Sequence, residues 1–490
     1  MPRSRASTAS TFAITAIALF MVALDNLVVT TALPVIRRDL GSSLQDLEWM
    51  VNAYTLTFAV LLLTGAALGD RFGRRRLFVL GLVVFTAGSA AAALAPTSGA
   101  LILARAIQGI GGAIVTPLTL TILSAAVSPE RRALALGAWG GVGGLAIAVG
   151  PLVGGAIAQG VNWHWIFWLN VPVGIVAIVL AFLRLDESRG PAGRLDLAGL
   201  ALASAGLLGL VWGVIHGNER GWTDPQIVAA LVAGAALLVA FIAWERRATA
   251  PMLPLHMFRT RAFAAANAVS LLMYFGMFGS IFLLSQFFQV VQGLNPFEAG
   301  LRILPWTAMP AVVAPIAGVL AGRIGSRPIL VPGLALMAIG LAWLAAVSSP
   351  TVAYAALIPA FVVSGIGMGM FFAPIANVVL SAVRPEEEGK ASGANNAIRE
   401  IGGVFGVAVL ASVFSANGSY ISPQAYVDGL VPAVWVGAAI VGVGALVALA
   451  IPGRVTSVRR DIGLENRGSA RDAIADRTSR RPMPDADAAG

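Results

Sequence analysis

Two charged residues stand inside stretches that are otherwise apolar. Asp25 sits in the run Ala23-Leu24-Asp25-Asn26-Leu27-Val28-Val29, and Arg105 in Arg105-Ala106-Ile107-Gln108-Gly109. At the centre of a membrane-spanning helix a charge costs roughly 2.5–3.5 kcal/mol on insertion scales, so each should face a bundle interior and a partner. A carboxyl in an intermittently wet cavity can take a proton from one side and release it to the other. Burial favours its neutral form, a nearby arginine favours its ionised form, and alternating access to water exchanges the two. Asp25 and Arg105 are therefore candidate proton-coupling residues. A static ion pair that merely docks one helix on another uses the same two residues, and this alternative stays open. Arg399 and Glu400 form a further ionisable pair. They make either a second proton site or a pair resting at a headgroup boundary, and their place at the start of an apolar stretch favours the boundary.

Long helices must position these groups. Of the 490 residues, 58% are hydrophobic and 12% charged, whereas a soluble domain carries about a quarter charged residues. Mean hydropathy is +0.83. A ~30 Å hydrocarbon layer takes roughly 20 apolar residues of helix, and fourteen stretches reach about that length: 11–35, 48–69, 76–95, 101–125, 134–158, 164–183, 196–215, 226–244, 262–288, 299–320, 328–347, 352–382, 396–415 and 430–451. The start, Met1-Pro2-Arg3-Ser4-Arg5 before an apolar run, has the look of a secretory leader. The run continues through Asp25 to Ile36, too long for a leader, and is expected to stay as the first span. The tail from Pro452 is polar and poor in aromatics, as disordered segments are.

Composition also excludes several functions. The net charge of +9 does not gather into one basic patch, so no nucleic-acid partner is expected. Cysteine is absent and His164, His216 and His256 lie far apart, so neither a disulfide nor a metal site is expected. The glycine clusters at 109–112, 140–144 and 365–369 lie within apolar stretches and lack the Lys-Ser/Thr of a phosphate loop. They read as helix-packing surfaces, and ATP hydrolysis by this chain is not expected. Met273, Met277, Phe278, Met368, Met370 and Phe371 suit either an adaptable apolar cavity or plain packing.

Arginines set the orientation, because basic residues stay on the cytoplasmic side. With the N-terminus inside, the inner connectors hold Arg71, Arg74, Arg75, Arg76, Arg131, Arg132, Arg184, Arg189, Arg194, Arg246, Arg247, Arg259, Arg261, Arg323, Arg327, Arg384 and Lys390. The outer ones hold only Arg37, Arg38 and Arg220. Arg302, about a turn into the tenth span, is expected to snorkel outward. Both termini are thus expected in the cytoplasm and the span number is even. The stretch Ala66-Ala67-Leu68-Gly69-Asp70-Arg71-Phe72-Gly73-Arg74-Arg75 returns, weakened, as Gly318-Val319-Leu320-Ala321-Gly322-Arg323-Ile324-Gly325-Ser326-Arg327. Two related halves are a common build for secondary transporters.

The first copy of that repeat resembles the loop between the second and third helices of the major facilitator superfamily, except that Ala66 stands where the family usually has glycine. Ala23-Leu24-Asp25-Asn26-Leu27-Val28-Val29, running to Ala32-Leu33-Pro34, is similar to the first-helix signature of the fourteen-helix drug:proton antiporters. Arg105-Ala106-Ile107-Gln108-Gly109 resembles their fourth-helix motif. Gly150-Pro151-Leu152-Val153-Gly154-Gly155 resembles a fifth-helix motif associated with exporters, and Trp163-His164-Trp165-Ile166-Phe167 with Asn170-Val171-Pro172 is typical of the same branch.

The resemblance implies an all-α membrane protein of two six-helix halves, 11–183 and 262–451, joined by two extra helices in 196–244, with a cytoplasmic tail at 452–490. It implies a monomer in a bacterial inner membrane. It would use the proton gradient rather than a cofactor to export a hydrophobic or cationic drug-like molecule. Gly69, Asp70, Arg71, Gly73, Arg74 and Arg75 would form a gating loop. Gly150, Pro151, Gly154 and Gly155 would let helices approach closely. A proton-linked importer of the same fold is the first rival, and the fifth-helix motif speaks against it. A membrane enzyme would need clustered ionisable residues near one face, and a sensor would show an added soluble domain. The expected topology is directly testable. Single cysteines at 71–76 should resist an impermeant thiol reagent in intact cells, and those at 37–47 and 218–225 should react; labelling at 71–76 would overturn the orientation.

Overall fold

The computed structural model describes residues 7–190, 195–384 and 387–453, and the described residues are helical apart from turns and connectors. The readings made for Arg3, Arg5, Arg194 and the tail from residue 454 fall outside them, as do the side chains of Arg131 and Arg132. The first half comprises α1 (Thr8–Leu40), α2 (Leu44–Phe72), α3 (Arg74–Ala93), α4 (Ser98–Ala126), α5 (Pro129–Gly160), α6 (His164–Trp168) and α7 (Asn170–Arg184). Next come α8 (Leu197–Arg220) and α9 (Pro225–Glu245). A short 3-10 turn, Leu255–Arg259, leads into α10 (Arg261–Val290), α11 (Pro296–Thr307), α12 (Met309–Ile324), α13 (Arg327–Val347), α14 (Tyr354–Ser381), α15 (Glu388–Asn417) and α16 (Pro423–Ala448).

Local chemistry marks the ends. Ser43 and Asp46 form a reciprocal cap on α2, and Asn295 and Glu298 do the same on α11. Proline opens α5, α9 and α16, where the missing N–H is harmless. Between α11 and α12 the tenth span is broken at Ala308, just before Pro310, which cannot donate to the preceding turn. Among the described residues, thirteen stretches are long and apolar enough to cross a membrane, with α6–α7 and α11–α12 each counted as one. α5, at 32 residues, also has the length. The fourteen-span reading therefore stands, and this is a multi-pass membrane protein.

In the first half α2 and α3 pack on α4, α1 on α5, and α3 on α7. In the second, α10 packs on α15 and α16, and α13 on α14 and α16. The hairpin α8–α9 packs on itself, while α8 also leans on α2 and α15 and so touches both halves. The repeat seen in the sequence is geometric as well. Gly73 and Gly325 each close a helix with positive φ, +112° and +96°, and each donates 3.0 Å to the carbonyl four residues back, Gly69 and Ala321.

Alternate connectors define two ends. One carries Asp70 and Gly325, and the other carries Asp39 and Tyr420. Bonds between the halves gather toward the Asp39 end. Ser285 Oγ donates to the Thr30 carbonyl (3.0 Å), Gln289 Nε2 donates to the Thr31 carbonyl (2.8 Å), and Arg37 lies 3.6 Å over the Tyr420 ring. The structure is therefore closed at that end.

Two glycines separate backbone strain from collision. Gly73 (φ +112°) and Gly221 (φ +94°) both lie where a side chain is strained, by about 1–2 kcal/mol. At Gly221 nothing lies within 4 Å of an added methyl, whereas at Gly73 it would meet the Glu187 carboxylate at 2.8 Å. Gly73→Ala should therefore lower the thermal midpoint in detergent by clearly more than Gly221→Ala. Equal losses would show that the Glu187 contact contributes nothing.

Candidate transport and proton site

Five helices converge on Asp25. One carboxylate oxygen, Oδ2, receives the Arg105 Nη1 of α4; the other, Oδ1, receives Asn170 Nδ2 of α7 (2.7 Å) and Gln108 Nε2 of α4 (3.2 Å). Arg105 also donates through Nε to the Met50 carbonyl of α2 (3.1 Å) and through Nη1 to Gln108 Oε1 (3.1 Å). Its guanidinium lies 4.3 Å over the Tyr54 ring, whose hydroxyl donates to the Val22 carbonyl. Gln108 Nε2 donates to Ser89 Oγ of α3 (2.7 Å). Asp25, Arg105 and Gln108 are 0% exposed. The expected pairing of Asp25 with Arg105 is present, and it comes with a shell the sequence reading did not assign. Gln108, one turn after Arg105, shares its helix face and stands inside the quoted motif. Asn170 lies in the motif that opens α7.

A buried charge pair is strongly destabilised when one partner is removed, because the other is left uncompensated. This carboxylate has an opposite charge and two amide donors, and no path to water. Such saturation is the geometry of the docking pair left open above.

Glu400 is placed differently. α15 begins at Glu388, earlier than the expected 396, so Arg399 and Glu400 lie three turns inside the helix and not at its start. The boundary placement is corrected: the pair stands within the span, half-buried. Glu400 Oε2 accepts from Asn26 Nδ2 (3.4 Å), across the halves, and Asn26 is the neighbour of Asp25 on α1. Arg399 Nη2 donates to Asn396 Oδ1, and its guanidinium lies 5.2 Å from the Tyr274 ring. α2 likewise starts at Leu44, ahead of the expected 48, and buries a further acid, Glu48, one turn in. Arg302 points toward the Asp39 end, where it donates to Gln292 Oε1 (3.3 Å) in the connector after α10 and stacks 4.5 Å over Tyr354 at the start of α14.

At the Asp70 end the loop lies within the first half. Asp70 Oδ1 accepts from Arg74 at 2.8 Å, and the Asp70 carbonyl accepts from Gly190 N (3.2 Å). Arg75 N donates to Glu187 Oε1 (3.0 Å) and its Nη1 to the Leu185 carbonyl (3.2 Å). The Arg71 guanidinium lies 5.3 Å from the Phe72 ring. Gly69 faces Leu118 of α4. The loop thus pins the α2–α3 corner to the segment after α7. The fifth-helix glycines sit at crossings. A methyl on Gly150 would meet Leu27 Cβ at 3.0 Å, one on Gly154 would meet Thr31 Oγ1 at 2.6 Å, and one on Gly155 would meet Phe297 Cα at 2.8 Å. Pro151 in turn faces Gly300 of α11. Gly155 and Pro151 therefore let α5 of one half touch α11 of the other.

The sequence matches the family model of the Major Facilitator Superfamily over residues 15–407 and again over 266–477. The chain belongs to this superfamily. Its relatives include the tetracenomycin C resistance and export protein of Streptomyces glaucescens, 34% identical over 86% of this chain and 78% of that protein. The puromycin resistance protein pur8 of Streptomyces alboniger is 36% identical over 92% and 91% of the two chains. Multidrug resistance protein Stp of Mycobacterium tuberculosis is 37% identical over 82% and 75%. Among solved structures, the peptide transporter POT with sulfate superposes with a TM-score of 0.65 at 16% identity, covering 92% of this chain and 95% of that one. A bacterial homolog of the human lysosomal transporter Spinster, inward-facing and unoccupied, gives 0.63 at 17%, covering 91% and 97%. At such identities the superpositions speak for the superfamily fold alone.

The Asp25 shell predicts a strong coupling. Asp25→Asn leaves Arg105 buried without a countercharge and should cost about 3–5 kcal/mol of stability. Asp25→Asn combined with Arg105→Gln should recover part of that loss in a thermal double-mutant cycle. Additive losses would mean that the pair does not hold the helices together.

Proposed function

We propose that this chain is a proton-driven exporter of a hydrophobic or cationic drug-like molecule, working by alternate opening of its two ends. Export is supported by the relatives, which are named as antibiotic resistance and export proteins, and by the close-packed glycines of α5. The Asp70 end and both termini are taken as cytoplasmic from the distribution of arginines, in a bacterial inner membrane. Transport needs a single folded chain and no cofactor in this reading.

One observation carries the proton assignment: the half-buried Glu400 bonds across the halves to Asn26. A carboxyl there gains and loses water as the halves rock, whereas Asp25 is sealed within one half. Glu400 is accordingly the proton carrier, and Asn26 reports its state to α1. Asp25 and Arg105 hold the first half rigid so that it moves as a body. The gating loop around Asp70, Arg71 and Arg74 fixes the α2–α3 corner in this closed-outside state and is released when the outer end opens. Met277 and Phe278 of α10 lie in the apolar core of the second half, and Met370 of α14 packs against Ala317, Ala321 and Ile329; methionine there suits substrates of varied shape.

Ethidium, a cationic dye, serves as the probe. Inverted vesicles carrying the parent chain should accumulate it when the vesicle interior is acid and lose the gradient on a collapse of ΔpH. Glu400→Gln should still bind ethidium, should release no proton on binding it, and should transport at the level of empty vesicles. Undiminished proton release from Glu400→Gln would remove Glu400 as the carrier and return the role to Asp25.

A further inference from the structure

α2 presents a stripe of polar atoms that lack partners at the closed end. Glu48 is 2% exposed, and its Oε2 is sealed from solvent without a hydrogen-bond partner. One turn on, Asn52 is fully buried and neither its Oδ1 nor its Nδ2 is bonded. Residues four apart share a helix face, so the three orphan atoms lie along one edge of α2. Gln289 of α10 is similar: its Nε2 ties the halves together while its Oε1 is sealed without a partner. Folded proteins rarely leave buried polar atoms unbonded. Several such atoms at a surface that closes and opens are groups that meet water in the open arrangement.

The surroundings of Glu48 carry little compensating charge. Tyr420, on the α15–α16 connector, lies close enough to interact with it electrostatically. Burial holds that phenol above its ordinary range, against the opposing effect of Arg37. The Tyr420 hydroxyl therefore stays a donor, to Gln286 Oε1 at 2.7 Å. Arg37 is stacked on the Tyr420 ring, and Arg38 donates to the Pro34 carbonyl. Asp39 accepts from Trp163 Nε1, and Asp46 caps its own helix. Arg105 of α4 is held by Asp25. α8 brings His216, Glu219 and Arg220 to this end, while residues 405–417 of α15 contain no titratable side chain. Beside Glu48's end of α2, a cavity of about 430 Å³ opens between Arg37, Gln45, Tyr420 and Ile421.

We propose that Glu48 is the proton site of the outer gate: its carboxyl is neutral while the halves are shut there, gives its proton to outside water when they part, and must be reprotonated before they close. An ionised carboxylate in the shut interface would have neither water nor a countercharge, so loss of the proton opposes closure. The inference rests on the reading that the Asp39 end faces outward. It adds to Glu400 a second carboxyl that ties outside acidity to the return step.

The cysteine-free chain allows a test that needs no substrate. Ser285→Cys places a thiol at a fully buried position on the closing surface, and Ile421→Cys, 92% exposed at the same end, gives the reference rate. An impermeant maleimide is applied to intact cells at outside pH values on either side of neutrality. Labelling at Ser285→Cys, relative to Ile421→Cys, should rise by up to about tenfold per pH unit as the outside becomes alkaline, the limit for one proton. Glu48→Gln should keep labelling slow at every pH, and Glu48→Asp should restore the rise. A Glu48→Gln chain that follows pH as the parent does, or a parent that does not respond, would overturn the proposal. The former would assign the response to His216. If the parent responds through Glu48 while ethidium efflux ignores ΔpH, the gate stands and the proton-driven reading fails.

Discussion

A charge placed in the apolar core of a helical bundle must be answered by an opposite charge and by hydrogen bonds, and the first half is organised around that requirement. Asp25 and Arg105 draw α1 against α4, and completing their bonds takes Met50 of α2, Gln108 of α4 and Asn170 of α7. Ser89 of α3 bonds in turn to Gln108. Moving any one of these helices leaves a buried polar group unpaired. The energy at stake, several kcal/mol for a broken buried pair, exceeds what apolar contacts between sliding helices resist. The pair thus ties five helices of the first half together.

Those surfaces are built differently. Where α5 meets α11, glycine and proline leave backbone against backbone, a smooth contact with little side-chain interlock. Where α1 and α2 meet α10 and α15, the bonds are few, and two of them go from a side chain to a helix carbonyl. Such bonds can be exchanged for water at small net cost. Glu400 and Glu48 both lie along this second surface, one toward its middle and one toward the Asp39 end. A carboxylate held by a charge and two amides inside a half, and carboxyls with fewer partners between halves, set the two surfaces apart.

The fold was legible because the bilayer imposes one period and one length. The apolar stretches, the connectors rich in arginine and the two turns at Gly73 and Gly325 all announce themselves locally. Asp25 and Arg105 were legible for the same reason, since each is a charge where none is expected. Their amide partners were not, because a Gln or Asn in a span is polar but unremarked until the helices are assembled. Glu48 and the Arg399–Glu400 pair were misplaced by helix starts. Ser43 caps α2 ahead of the apolar stretch, and α15 runs through polar residues from Glu388 before its apolar part begins. Apolar length locates the membrane, not the first turn of the helix.

The central claim is that protons are exchanged between the halves and not within the first one. Infrared difference spectra of the purified protein, recorded across a pH step, report protonated carboxyls through their carbonyl stretch. The account predicts that the titrating band loses intensity in Glu400→Gln and keeps it in Asp25→Asn. A band unchanged by Glu400→Gln and lost in Asp25→Asn would contradict it.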